Sequence, residues 1–284
     1  MHEHKGQFTV GQMCSVLEVS RSGYYDWAAG RQKPPGPRRR RRAELAEKIR
    51  RVHEQSRGTY GSPRVYQELK AQGQSVCQNT VARLMKDNGI RSVAHRRFRV
   101  RTTDSSHAHP PAPNVLDRNF RQDLPDKAWC ADITYIPTGE GWLYLACVID
   151  LCSRKIVGWS MADHLRAQLC TEALGMAIAR RKPGEGLLHH SDRGVQYACG
   201  EYRKLLEEHG IQCSMSNRGD CWDNAPMESF FKTLKSELVY QQEYKTREQA
   251  ARSIFQYIEV FYNRTRRHSS LGYKSPAQFE AELN

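Results

Sequence analysis

Two periodicities divide the chain. Up to about residue 91, apolar positions recur at helical spacing. Met13, Val16 and Leu17 follow a candidate N-cap at Thr9, and Val19-Ser-Arg-Ser-Gly23 supplies a turn before Tyr24, Tyr25 and Trp27. This predicts helix, tight turn and short second helix over residues 1–30, the helix-turn-helix pattern, with an ordinary helical hairpin as the plainer reading. Leu45, Ile49 and Val52, then Val65, Tyr66 and Leu69, then Val81, Leu84 and Met85 mark three further helices over 43–91. Tyr60-Gly-Ser-Pro63 falls at a turn, and Gly89 is a helix stop. A second helical DNA-binding unit is expected there.

From residue 127 the period shortens. Trp129–Ile136, Trp142–Ile149 and Ile156–Met161 read as three strands in a meander. Helices over Leu165–Ala179 and Tyr202–His209 then alternate with strands over Leu187–Ser191 and Ile211–Met215, and a last helix runs from about Pro226 to Val239. The expected fold is α/β, a mixed sheet with flanking helices, preceded by small all-α units. The boundaries expected are helical units at 1–30 and 43–91, a basic Pro/Arg linker at 31–42 that could also be the edge of a helix, and a basic flexible linker at 92–126. A catalytic-type core at 127–240 and a C-terminal helix and tail at 241–284 complete the chain.

Charge changes this picture more than composition does. Lys and Arg number 44 against 31 Asp and Glu in 284 residues, with a mean hydropathy of −0.74. Residues 1–126 hold 24 Lys or Arg against 12 Asp or Glu, whereas 127–284 hold 20 against 19. One half is built to meet a polyanion, and double-stranded DNA is the expected partner. Candidate phosphate contacts are Arg38, Arg39, Arg40, Arg41 and Arg42, then Arg83 and Lys86 on the outer side of the last helix of the second unit. Arg96, Arg97 and Arg99 surround Phe98 in the second linker. The longest apolar run, Trp142–Ile149, is far short of the roughly 18 residues of a membrane span, and Met1–Lys5 does not lead into a signal-peptide core. Nine cysteines without a C-x-x-C pair argue against zinc ribbons or fingers and for reduced thiols in a cytoplasmic protein.

Three acids carry candidate chemistry. Asp132 lies inside the first predicted strand, on a face with Thr134, an expensive site for a charge unless it is used or paired. Asp192 ends the fourth strand, and Glu228 stands in the first turn of the late helix, where Asn224 or Ala225 can cap and Pro226 suits the start. Lys232 and Lys235 follow Glu228 at i+4 and i+7, a polar stripe along which a phosphate chain could lie. Acids from separate elements suit a pair of hard divalent cations that neutralise the attacking and leaving oxygens of a phosphodiester. Asp150, Asp220 and Asp223 sit in turns, where Asp is favoured for local hydrogen bonds. His190 either touches substrate or is a satisfied structural histidine; Trp222 either stacks on an unpaired base or anchors a loop.

Asp132, then Asp192, then 35 intervening residues to Glu228, with Lys235 seven beyond, resembles the Asp-Asp-35-Glu signature of retroviral integrases and insertion-sequence transposases. The strings Trp129-Cys-Ala-Asp-Ile-Thr-Tyr135, His190-Ser-Asp-Arg-Gly-Val-Gln-Tyr197 and Asp223-Asn-Ala-Pro-Met-Glu-Ser-Phe-Phe-Lys-Thr-Leu-Lys235 are similar to the second-frame (OrfB) transposases. So are Tyr60-Gly-Ser-Pro-Arg-Val65 and the Tyr262–Pro276 tail. The resemblance spans nearly the whole chain. It implies a ribonuclease-H-like core, dependence on Mg²⁺ with Mn²⁺ able to substitute, two ions per site, and DNA strand transfer without a covalent enzyme intermediate. Asp132 would bridge both ions, and Asp192 and Glu228 would each complete one site. A bacterial, nucleoid-associated protein that works as a homo-oligomer on DNA, alone or with an upstream-frame partner or fusion, follows from the same resemblance. A helix-turn-helix regulator with an inactive core, and a Mg²⁺ nuclease that does not join strands, are the alternatives.

Overall fold

The computed structural model describes residues 1–32, 34, 36–93, 112–217 and 220–283. Arg96, Arg97 and Arg99 lie outside the described residues. Helices α1 (Val10–Val16) and α2 (Arg21–Gln32) form the first unit, with Thr9 and Gln12 closing a capping box at its entry. Its core differs from the expected stripe. Met13, Cys14 and Tyr24 are buried, whereas Val16 and Leu17 are exposed. A seven-residue helix has room for only one inward turn, and Val16 and Leu17 fall beyond it, at its C-terminal end.

Helices α3 (Pro37–Gln55), α4 (Ser62–Ala71) and α5 (Gln78–Asp87) form the second unit around Ile49, Val52, Val65, Leu69, Val81, Leu84 and Met85. Pro37 takes the first position of α3, where its missing N–H costs nothing, so Arg38–Arg42 extend that helix rather than a linker.

The core is a five-stranded sheet in the order β3-β2-β1-β4-β5. Strands β1 (Ala128–Thr138), β2 (Gly141–Asp150) and β3 (Ile156–Ala162) are the antiparallel meander. Strands β4 (Leu188–Ser191) and β5 (Gln212–Met215) add to β1 in parallel. Helices α6 (Ala167–Arg181), α7 (Val195–Ala198) and α8 (Gly200–Glu208) cover one face, where Trp129, Val148 and Val157 of the sheet share a buried cluster with Leu169 and Leu174 of α6. The other face, with Ile136, Leu145 and Ile149, packs under α9 (Ala225–Glu237) and α10 (Arg247–Phe255), which continues as a wide-turn segment Gln256–Tyr262. This second core is continuous with the second helical unit: Val65 and Leu69 belong to the same buried cluster as Phe230 and Tyr257.

The tail after Tyr262 guards the open edge of β3. The Asn263 side chain accepts from the Ile156 N–H and donates to the Ile156 carbonyl, both at 2.9 Å, which occupies backbone groups that an edge strand leaves open. Ser275 caps the short terminal helix α11 (Pro276–Ala281) through a capping box, and Glu280 on it pairs with Lys155 at 2.6 Å.

Strand β3 and α6 approach each other closely at Gly158. A Cβ on Gly158 would penetrate the Ala173 carbonyl oxygen and stand 2.8 Å from the Ala177 Cβ. Gly158→Ala should therefore push α6 off the sheet and cost about 1–3 kcal/mol or more. Chemical denaturation checks this; a midpoint equal to that of the native chain would contradict the packing described.

Candidate active site

Parallel pairing of β1 with β4 ends at Ala131 beside Ser191. The next residue of each segment is an acid: Asp132 continues β1 and Asp192 is the first residue past β4, on neighbouring segments about 4.8 Å apart. Alternation turns Asp132 to the face that α9 covers, with Cys130, Cys147 and Ile136. The Ile133 N–H donates to Asp132 Oδ1 at 2.8 Å, and the Gly194 N–H to Asp192 Oδ1 at 2.9 Å. Burial first, then the charge of Asp192 and more weakly that of Glu228, hold the Asp132 carboxyl well above the usual carboxylate range.

Glu228 stands on the exposed side of the first turn of α9. Partial burial pushes its carboxyl up. Met227, Phe230, Phe231 and Leu234 face inward and dock the helix on the sheet. Asn224 occupies the N-cap position without capping by its side chain. Instead its amide donates to the Ala131 carbonyl at 3.1 Å, tying the start of α9 to the strand beside Asp132. The three acids share one end of the sheet, yet among the described residues no three metal-binding side chains form a closed cluster. Lys232 is exposed, as expected. Lys235 is half-buried rather than on the open stripe; burial lowers its ammonium pKa, and the Asp132 charge opposes that shift.

The other polar residues sort by their bonds. His190 is fully buried, its ring nitrogens bonded to the Ser214 hydroxyl at 2.8 Å and the Ser216 hydroxyl at 3.1 Å. Burial lowers its pKa to about 4, so the structural role holds. Ser214 also accepts from the Val115 and Leu116 N–H groups, which pins the incoming chain to β5. Asp223 accepts from the Asn217 N–H at 2.8 Å, the Asn114 amide at 3.0 Å and Arg118 Nε at 2.7 Å, while Arg118 also pairs with Asp220. Burial pushes the Asp223 carboxyl up, and these donors outweigh it, holding it below the ordinary value. Asp150 is likewise buried and accepts from Ser153 and from the Asp126 N–H. These acids brace turns, as their positions in the sequence suggest; their long-range partners, Asn114, Arg118 and Asp126, could not be read from it. Trp222 is 67% exposed, which removes the loop-anchor reading.

Comparison with known proteins places the chain in a family. The family described as Integrase core domain matches residues 122–221, and a second family of that description matches 209–276. The family described as HTH-like domain matches residues 40–98. The chain is 41% identical over 280 residues to the transposase InsF for insertion sequence IS3A of Escherichia coli K12, covering 99% of this chain and 96% of that one. The chain belongs to the InsF-type transposases. The insertion element IS600 uncharacterized 31 kDa protein of Shigella sonnei is 45% identical over 272 residues, 96% of this chain and 98% of its own length. Among solved structures, the catalytic core domain of BIV integrase covers 56% of this chain and 95% of its own at 18% identity, with a TM-score of 0.43.

The HTH-like match coincides with the α3–α5 unit. In the transposase, Arg83 and Lys86 are exposed on α5, opposite the buried Val81, Leu84 and Met85. Two of the five consecutive arginines turn toward the unit itself. Arg41 reaches the Ser75 carbonyl at 3.4 Å, and Arg42 pairs with Asp87 at 3.2 Å. No described helix is long and apolar enough to cross a membrane.

Proposed function

We propose that the transposase cleaves and joins DNA strands at the ends of its insertion element, with Asp132, Asp192 and Glu228 as its catalytic acids. The observation that carries this reading is that Asp132 and Asp192 directly follow the last paired residues of β1 and β4, Ala131 and Ser191, and that the charges of Asp192 and of Glu228 on α9 both reach Asp132. Two half-buried carboxylates side by side repel each other, and an all-oxygen donor set of this kind suits a hard cation such as Mg²⁺, or Mn²⁺ in its place. Asp132 would contact two ions, with Asp192 on one and Glu228 on the other. When bound, such ions offset the charge that builds on the attacking and leaving oxygens of the phosphodiester.

The chain's own residues do the rest by position. Asp132 and Asp192 are fixed by strand pairing and by the Ile133 and Gly194 N–H groups. Lys232 and Lys235 on α9 supply positive charge along the strand to be cut, while Arg83, Lys86 and Arg38–Arg40 at the start of α3 engage duplex phosphates, Arg41 and Arg42 being turned to the unit itself. Arg96, Arg97 and Arg99 bring further positive charge for the phosphates. Water attacks a phosphodiester at the element end and frees a 3′-hydroxyl. That hydroxyl attacks a second phosphodiester, and the former 3′ oxygen of the second strand leaves. No side chain becomes covalently attached to DNA, so no serine or tyrosine nucleophile is needed.

Work on both element ends argues for at least two copies on DNA, with or without an upstream-frame partner or fusion, in the bacterial nucleoid. A strand-joining assay with end duplexes and a plasmid target in Mg²⁺ tests the activity. Nicks at the element end together with joined products are expected. Nicking without joining would make the protein a nuclease, and binding without nicking would make it a regulator.

A further inference from the structure

Helix α9 carries the catalytic candidate Glu228 in its first turn and ends on Glu237, about 14 Å further along at 1.5 Å per residue. A buried carboxylate at a helix C-terminus is doubly unfavourable, because it is desolvated and faces the negative end of the helix dipole. Glu237 is 6% exposed. Its compensation comes from two parts of the molecule. Arg266 of the tail grips it with two bonds, at 2.7 and 2.8 Å, and the Tyr257 hydroxyl donates at 2.8 Å. Arg64, on α4 of the HTH-like unit, approaches at 3.7 Å.

Around that carboxylate the two segments are locked together. The Tyr60 hydroxyl accepts from the Arg267 N–H at 2.8 Å and donates to the Thr265 carbonyl at 3.2 Å. Arg267 pairs with Glu68 at 2.5 Å, and the Arg64 guanidinium lies over the Tyr60 ring at 5.8 Å. Arg266 alone already matches the charge of Glu237, so a second guanidinium from the HTH-like unit is more than neutrality requires.

We propose that Arg64 is a positioning residue: through Glu237 it couples the HTH-like unit to α9 and so sets where Glu228 stands relative to Asp132 and Asp192. The inference rests on the reading of Glu228 as a cation-holding acid. Helix α9 is a short rigid rod docked on the sheet by Met227, Phe230 and Leu234. A change in the α4 contact at one end is therefore felt at the other. Engagement of DNA by α5, packed beside α4, would then reach the acid cluster without a contact of its own.

The test uses the full chain and Mn²⁺ alone, with free Mn²⁺ read by electron paramagnetic resonance. Arg64→Gln leaves the Arg266 and Tyr257 bonds to Glu237 in place, so the fold should stand, and thermal unfolding measures this. Loss of a positioning contact is expected to weaken Mn²⁺ binding roughly threefold to tenfold. Arg64→Lys should recover part of that loss. In the Glu228→Gln background, Arg64→Gln should add little, because the group it positions is gone. Unchanged Mn²⁺ affinity in Arg64→Gln, with or without a lower unfolding midpoint, overturns the inference alone, provided that Glu228→Gln weakens binding. If Glu228→Gln binds Mn²⁺ like the native chain, or the native chain binds none, the reading of Glu228 falls and the inference falls with it.

Discussion

Asp192→Asn should slow nicking at the element end by roughly a thousandfold or more while leaving DNA binding intact. The substitution is nearly isosteric. Asparagine Oδ1 can still accept from the Gly194 N–H, so the turn after β4 keeps its bond. What is lost is one negative charge beside Asp132. Stabilisation of transition-state charge by a bound cation is worth several kcal/mol, and each 1.4 kcal/mol is about a tenfold change in rate. Binding should persist, because the candidate phosphate contacts lie mainly in the basic half and on α9. One fewer negative charge near the phosphate should strengthen it slightly. Nicking rates in Mg²⁺ beside a gel-shift titration check both halves of the expectation. Near-native nicking would mean that these carboxylates are not the reacting set. Asp220→Asn is the internal comparison: its carboxylate braces Arg118 and the Trp222 N–H, so its loss should be far smaller.

Arg266→Ala should be the most destabilising single charge removal in the core. It strips two bonds from the buried Glu237 and leaves that carboxylate with only the Tyr257 hydroxyl and a longer approach from Arg64. Breaking a buried pair from one side costs about 3–5 kcal/mol, because the remaining ion is desolvated without compensation. In a protein of this size that is a fall in midpoint of about 10 °C. Arg252 provides the contrast. It pairs with Glu248 across one turn of α10, and both side chains are more than 70% exposed. Arg252→Ala should therefore change stability by less than about 0.5 kcal/mol. Calorimetry of the two variants decides the point; equal midpoints would mean that Glu237 is not the buried, paired group described.

Much of the architecture was legible along the chain, for a physical reason in each case. The meander and the alternation of helix with strand follow from period-two and period-3.6 burial, and the observed strands match the expected ones within a few residues. The placement of Asp132 on a face with Thr134 needed only alternation, and Glu228 in the first turn of a helix needed only Pro226. His190 was ambiguous because its partners, Ser214 and Ser216, lie far along the chain. Asp150 and Asp223 read as turn acids, and Asp150 does hold the nearby Ser153, but their long-range donors, Asp126 for one and Arg118 with Asn114 for the other, had no local signal. The arginine run read as linker or the edge of a helix because prolines precede it; it is helix, since a proline at the first helical position begins a helix rather than stopping one.

Local pattern by itself determined the order of elements, the basic half and the elements on or beside which Asp132, Asp192 and Glu228 stand, because periodicity, charge and turn chemistry act over a few residues. Only the tertiary structure decided which groups meet. It brought Tyr60 and Arg64 of one quoted string against Thr265, Arg266 and Arg267 of another, with Glu237 between them. It also merged the second helical unit with the core through one continuous buried cluster, where the sequence suggested separate bodies. An amphipathic stripe specifies that a face will be buried and is silent on its partner, since apolar burial is non-directional. The partner is selected by shape and by the need to satisfy buried charges such as Glu237, and both are properties of the assembled fold.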